Sequence, residues 1–215
     1  MEKKMLDMDL REVLALTASD APAPGGGAIA GLAAALGAAL GQMVLALSYG
    51  KKAYENLDDA TKASLKEADA QLADLRDCLF NLMQEDTDAF TSYMDALRLP
   101  KESEEEQKAR RAALDKCALH SMAVPLETAE RCLTVLQCLP QIAQYGNKNA
   151  VTDAGVAALL ANAACEAALL NVKINLPTIK DETVVSKAAK RSEELLQASK
   201  KLQKEVLDIV YGKLA

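Results

Sequence analysis

Apolar residues recur at three- and four-residue spacing along almost the whole chain, which predicts helix nearly throughout. A first amphipathic helix is expected over residues 3–18, with Leu6, Leu10, Val13, Leu14 and Thr17 on one face. It ends at Ser19-Asp20-Ala21-Pro22-Ala23-Pro24-Gly25-Gly26-Gly27, the strongest loop signature in the N-terminal half. From Gly25 to Leu47 the sole polar side chain is Gln42, and Gly27/Gly31 and Gly37/Gly41 form small-xxx-small pairs that allow close approach of helices. Its length suits a membrane span, but the remainder of the chain is amphipathic and charged. The expectation is therefore a helix buried at the centre of a water-soluble bundle.

A long helix follows over 61–97, carrying the stripe Leu65, Ala68, Leu72, Leu75, Leu79, Leu82, Phe90, Tyr93 and Leu97 before Pro100. Ser103-Glu104-Glu105-Glu106 has the capping-box pattern and starts the next helix. Pro125 suits the first turn of another, with Gly146 at its C-terminal cap. A second Ala-rich helix is expected over 151–172, and a Lys/Glu-rich amphipathic one over 181–212. The fold class is all-α: a single domain over 1–215, an up-and-down bundle of about seven helices with two buried Ala/Gly-rich helices. Two such apolar helices are hard to cover in one short chain, which argues for a homodimer or higher homo-oligomer.

Composition narrows the chemistry. Half of the 215 residues are hydrophobic but only 3% aromatic, so Ala, Leu, Val and Met must build the core. A formal charge of −6 argues against nucleic acid as partner. One His argues against a His-based metal site or a Ser-His-Asp triad, and no metal is expected. Five Cys without a CxxC pair read as reduced thiols, and the opening MEKKMLDMDL has no signal-peptide core, so a cytoplasmic location is expected. His120 reads as a packed or surface residue.

Asp86 is the most informative residue. It falls on the apolar stripe, four residues after Leu82 and four before Phe90, whereas Glu85 and Asp88 lie off it. A carboxylate held there is either bonded for structure or raised in pKa for acid/base work. Pro24 and Gly25, Gly26 and Gly27 open directly into the apolar helix, whose bare amides suit an anion or carbonyl oxygen; a plain helix-entry turn explains them as well. Lys51 and Lys52, within Tyr49–Tyr54, read either as helix-terminal cations or as a site for a ligand carboxylate. Asp153 and Asn171 lie five turns apart on one line of the second Ala-rich helix, and Asn171 and Asn175 lead into Leu176-Pro177. Such amides bind either a heterocycle or a neighbouring helix.

In this order, Pro22–Gly27 (PAPGGG), Tyr49–Tyr54 (YGKKAY), Asp86 with Ala89-Phe90 (DTDAF), Leu99–Lys101, Val124–Glu130 (VPLETAE), Gly146-Asn147, Asp153 and Asn171–Leu176 (NVKINL) resemble the cyclodeaminase/cyclohydrolase family of folate enzymes. The resemblance covers about residues 7–213. It implies an all-helical homodimer acting on a tetrahydrofolate derivative, with no tightly bound cofactor. It also implies Asp86 as general acid/base, with Lys51 as its catalytic companion or as a cation for the folate carboxylate. Lys52 would hold that carboxylate too. Pro24, Gly25–Gly27, Tyr54, Asp153, Asn171 and Asn175 would line the substrate site. Gln84 departs from the pattern, since the family often has an acid there. The expected reaction is cyclodeamination of 5-formiminotetrahydrofolate to 5,10-methenyltetrahydrofolate, with hydrolysis of the methenyl compound to 10-formyltetrahydrofolate as the alternative. A non-catalytic folate-binding or scaffold protein is the reading from a different class.

Overall fold

The structure, a computed structural model, describes residues 3–215; residues 1 and 2 of the expected domain lie outside them. Among the described residues are seven α-helices: α1 (Leu10–Thr17), α2 (Gly26–Ala46), α3 (Lys52–Glu55), α4 (Asp59–Arg98), α5 (Glu104–Tyr145), α6 (Val151–Asn175) and α7 (Glu182–Leu214). The all-α bundle follows the apolar spacing, and α4 keeps the first part of its stripe inside, with Leu65, Leu72, Leu75, Leu79 and Leu82 all buried, whereas Phe90 and Leu97 of the predicted stripe are exposed and Tyr93 half-buried. Short turns make sequential helices run up and down.

Two predicted boundaries change. The helix expected over 3–18 divides into a 3-10 turn (Met5–Asp7) and α1, because Asp9 restarts it. The Glu12 N–H donates to Asp9 Oδ1 at 2.9 Å and the Asp9 N–H donates back to Glu12 Oε2 at 2.7 Å, a complete capping box. Of the predicted face only Val13 is buried, while Leu10 and Leu14 are exposed. The second change is larger. The helices expected on either side of Pro125 are one, α5, which starts at the Ser103/Glu106 capping box and runs through Pro125 and Pro140. A proline inside a helix frees the carbonyl four residues earlier. For Pro125 that carbonyl is Ser121 O, and the Asn175 side chain of α6 donates to it at 2.8 Å.

α2 is packed by α4, α5 and α6. Glycine costs a helix about 1 kcal/mol relative to alanine, and here the return is close approach. A Cβ at Gly31 would lie 3.0 Å from the Leu79 carbonyl, and one at Gly37 3.1 Å from the Ala157 carbonyl. α2 and α6 are antiparallel, since Gly37 meets Ala157 and Ala161 while Gly26 meets Asn171.

The two Ala/Gly-rich helices are not covered all round. Leu36, at 52% exposure, and Met43 and Leu47 leave an apolar strip along the outside of α2. Val156, Leu159, Leu170 and Ile174 do the same on α6. By length and composition both helices could cross a membrane, and roughly half of each is buried against the rest of the protein.

Candidate active site at the N-terminus of α2

The Pro22–Pro24 loop delivers the chain to Gly25, which caps α2 without a side-chain bond. The first intrahelical donor is Ile29, bonding to the Gly25 carbonyl at 3.1 Å. The N–H groups before it therefore have no partner within the helix. Asp86 reaches this end from α4. Its carboxyl group lies over Gly27, so closely that a Cβ there would be 2.6 Å from the Asp86 Cγ. Only glycine leaves room for the carboxylate.

Burial raises the pKa of Asp86 above the ordinary aspartate value, and the Ala28 backbone N–H opposes the rise. Among the described residues no cation forms an ion pair with it, so desolvation dominates.

Around Asp86 is a cavity of about 370 Å³, within the range of small-molecule sites. Gly25, Gly26 and Gly27 form its floor with Asp86. Thr87, Phe90, Tyr93 and Met94 continue along α4, Ser121 enters from α5, and Asn171, Ile174 and Asn175 close it from α6. Asn171 donates its side-chain N–H to the Ala167 carbonyl at 2.9 Å, and Asn175 to the carbonyls of Ser121 and Asn171. Neither amide oxygen accepts a hydrogen bond among the described residues. The Ser121 hydroxyl is buried and unpartnered. The cavity combines an aromatic wall, two amide side chains, the helix amides of α2 and one protonatable carboxyl.

Sequence reasoning found six residues of this cavity: Gly25, Gly26, Gly27, Asp86, Asn171 and Asn175. Phe90 and Tyr93 were legible only as core, although at i+4 and i+7 from Asp86 they share its face. Ser121 had no local signature. Pro24 is buried beside the cavity and lines a neighbouring hollow of about 740 Å³ that continues past Phe90 and Met94 to Met5 and Arg98.

A family model described as formiminotransferase-cyclodeaminase matches residues 9–194. The chain belongs to that family. It is 36% identical over 197 residues to a methenyltetrahydrofolate cyclohydrolase of Methylorubrum extorquens, covering 92% of this chain and 93% of that one. It is 34% identical over 199 residues to the formimidoyltransferase-cyclodeaminase of Rattus norvegicus, where 93% of this chain spans 36% of the longer relative. A crystal structure of formiminotetrahydrofolate cyclodeaminase from Thermotoga maritima superposes with a TM-score of 0.83 at 27% identity, over 97% of this chain and 98% of that one. The fold and family expectations hold.

Four residues that the family resemblance groups with Asp86 are elsewhere in the chain. Lys51, Lys52 and Tyr54 follow the C-terminal end of α2, a helix of 21 residues and so about 30 Å from Gly26. A Lys51–Asp86 pair within one chain is excluded by that length. Asp153 begins α6 while Asn171 ends it, about 27 Å apart by helical rise. Gln84 is structural: its Oε1 accepts from the Met5 N–H at 2.7 Å and its Nε2 donates to Asp88 at 2.8 Å, strapping the N-terminal segment to α4. The described residues hold no cluster of three His, Cys, Asp or Glu that could ligate a metal.

Proposed function

We propose that this protein transforms the one-carbon unit carried at N5 and N10 of tetrahydrofolate, with Asp86 as the group that moves the proton. The observation that carries this is the Asp86 carboxyl, raised in pKa by burial and set against the N-terminal amides of α2 inside a cavity of ligand size. Hydrolysis of 5,10-methenyltetrahydrofolate is the first reading, supported by likeness over nearly full length to a cyclohydrolase. Asp86 as carboxylate takes a proton from water as its oxygen attacks the methenyl carbon. The tetrahedral carbon then breaks its bond to N5, which takes the proton from Asp86, while the hydroxyl on that carbon gives up its own proton to solvent as the formyl C=O forms and 10-formyltetrahydrofolate leaves.

Cyclodeamination is the second reading, supported by the whole-length likeness to the Thermotoga maritima cyclodeaminase. There N10 attacks the formimino carbon, and Asp86 in its acid form protonates the departing ammonia. Both run through one tetrahedral carbon, so one carboxyl near its own pKa serves either. The amide oxygens of Asn171 and Asn175 accept from the pterin N–H groups, and Phe90 and Tyr93 cover its ring. No metal or tightly bound cofactor enters either scheme.

The site is completed by a second copy of the chain. Pairing two molecules through the apolar strip of α2 about a two-fold axis, helices antiparallel, sets the partner subunit's Lys51 and the partner subunit's Lys52 near this chain's Gly25–Gly27 and Asp86. That covers Leu36 and supplies the cations for the substrate's carboxylates. It also suits a water-soluble, cytoplasmic enzyme that engages neither membrane nor nucleic acid.

The test follows absorbance of the methenyl chromophore with purified protein. Accelerated loss from 5,10-methenyltetrahydrofolate supports hydrolysis. Gain from 5-formiminotetrahydrofolate, with ammonia released, supports cyclodeamination. Silence with both substrates from folded protein would leave a binding module and defeat the enzyme reading.

A further inference from the structure

α1 is held to its own chain through a single buried residue. That residue is Val13, in a small cluster with Met5, Ala28 and Met83 that stands apart from the main core. Leu10 and Leu14, one turn apart, are 65% and 62% exposed. Two large apolar side chains left together on one short helix are an unfilled contact. Arg11 lies beside Leu14, is exposed, and forms no ion pair among the described residues.

A shallow groove of about 430 Å³ runs between the C-terminal part of α2 and the first part of α4, lined by Gln42, Tyr49, Lys66, Asp69, Ala70 and Ala73. Asp69 accepts from the Tyr49 hydroxyl at 2.7 Å and from the Gln42 amide at 3.3 Å, which fixes its carboxylate. No cation pairs with it among the described residues. Ala70 and Ala73 supply room for larger side chains.

α1 and the groove are related through α2. α1 packs on it at Ala28, eight residues before Leu36. The groove lies at Gln42 to Tyr49, a span that includes Val44, eight residues after Leu36. Each is about 12 Å from Leu36 along the helix axis. Both also lie on the α4 side of the apolar strip, since Met83 of α4 belongs to the α1 cluster and Asp69, Ala70 and Ala73 of α4 wall the groove. A two-fold axis that crosses α2 at Leu36 within the contact plane reverses the helix and keeps α4 on the same side. It therefore carries α1 of one subunit onto the groove of the other.

We propose that α1 of each subunit docks in the α2–α4 groove of its partner. The partner's Leu10 and the partner's Leu14 cover Ala70 and Ala73, and the partner's Arg11 meets Asp69. The fit is one of charge as well as shape, a cation against a fixed carboxylate and leucines against alanines. It rests on the antiparallel pairing through α2 and on no folate chemistry. Docking also braces Pro22 and Ala23, which follow α1 and wall the Asp86 cavity.

The test oxidises a Leu14→Cys/Ala70→Cys double variant and runs it on a non-reducing gel beside both single variants and wild type. Size exclusion of the unoxidised proteins accompanies it. Within one chain the two positions cannot bridge: Val13 packs on Met83, and Ala70 is thirteen residues back along α4, about 20 Å. A disulfide needs Cα atoms within about 7 Å. A covalent dimer confined to the double variant is expected. Leu14→Ser should raise the dimer dissociation constant about tenfold in analytical ultracentrifugation, with helix content unchanged. No covalent dimer from a double variant that elutes as a dimer overturns the docking and leaves the pairing through α2. Elution of wild type as a monomer overturns both. Equal cross-linking by Leu14→Cys alone overturns the docking too, since α1 would then meet α1. Turnover is not read, so failure of the folate reading leaves the result intact.

Discussion

Pro125 and Asn175 are partners through a carbonyl that belongs to neither. The proline withholds the N–H that would close on Ser121 O, and Asn175, fifty residues on, donates to that oxygen at 2.8 Å. The same bond holds Asn175 at the wall of the Asp86 cavity. Pro125→Ala restores the helical donor and puts it in competition with Asn175. The expected result is unchanged or raised thermal stability, since alanine is the better helix former, together with a KM several-fold higher. Steady-state kinetics beside a melting curve separates the two; a KM that stays put would detach Asn175 from substrate.

Asp86→Asn removes the proton carrier and keeps the shape. Turnover is expected to fall about 10²–10⁴-fold. Burial raises the folded-state pKa, so the folded protein holds the proton more tightly than the unfolded chain. Stability from this group is therefore present at low pH and declines as pH rises past the ordinary aspartate range. The asparagine variant should melt about 2 °C higher at neutral pH, and the gain should vanish in acid. Calorimetry at both pH values checks the sign.

The same shift sets the rate profile. In hydrolysis Asp86 works as carboxylate, so kcat/KM should rise with pH through a pKa above that of an unperturbed aspartate. A profile flat across that region would remove Asp86 as the base.

Gly27→Ala places a methyl group where the carboxyl group lies, 2.6 Å from Cγ. Overpacking of this kind costs about 1–3 kcal/mol, and the carboxyl must turn from its place. A folded protein, judged by circular dichroism, with turnover reduced as far as in Asp86→Asn is expected. Gly212→Ala, in α7 and away from the cavity, where a Cβ meets nothing within 4 Å, is the control and should keep its activity.

If one chain brings Asp86 and its partner brings Lys51, two inactive chains can repair each other. Mixing Asp86→Asn and Lys51→Ala chains through unfolding and refolding should return about a quarter of wild-type activity, since half of random dimers are mixed and each holds one intact site. Leu36→Arg, on the exposed strip, should yield helical monomers without activity in size-exclusion and rate measurements. Recovery near zero on mixing would remove Lys51 from the Asp86 site.

Much of this was legible beforehand. Leu65 to Leu82 announce α4, the Ser103/Glu106 pair announces α5, and the position of Asp86 on an apolar stripe announces its environment. Periodicity is a local signal, and these are local facts. Pro125 misleads because its cost inside a helix is met by Asn175, and no sequence pattern links the two. Ser121 is hidden for the same reason. Lys51, Tyr54 and Asp153 were grouped with Asp86 by the order of family motifs, which does not state at which end of a bundle each one falls. The length of α2 does.

That length has a consequence for how the protein responds to change. α2 is seated on α4 and α6 through Gly31 and Gly37, so closely that a Cβ at either would lie about 3 Å from the facing backbone, and it ends in the carboxyl cavity on one side and the Lys51–Tyr54 segment on the other. It can slide or tilt only as a rod. A bulky residue at Gly37, touching neither end, would displace both together, so turnover at the carboxyl cavity and the ordering of the Lys51–Tyr54 segment would drift in step. Correlated loss of two properties from one remote, buried substitution is the signature this helix would leave in a mutational scan.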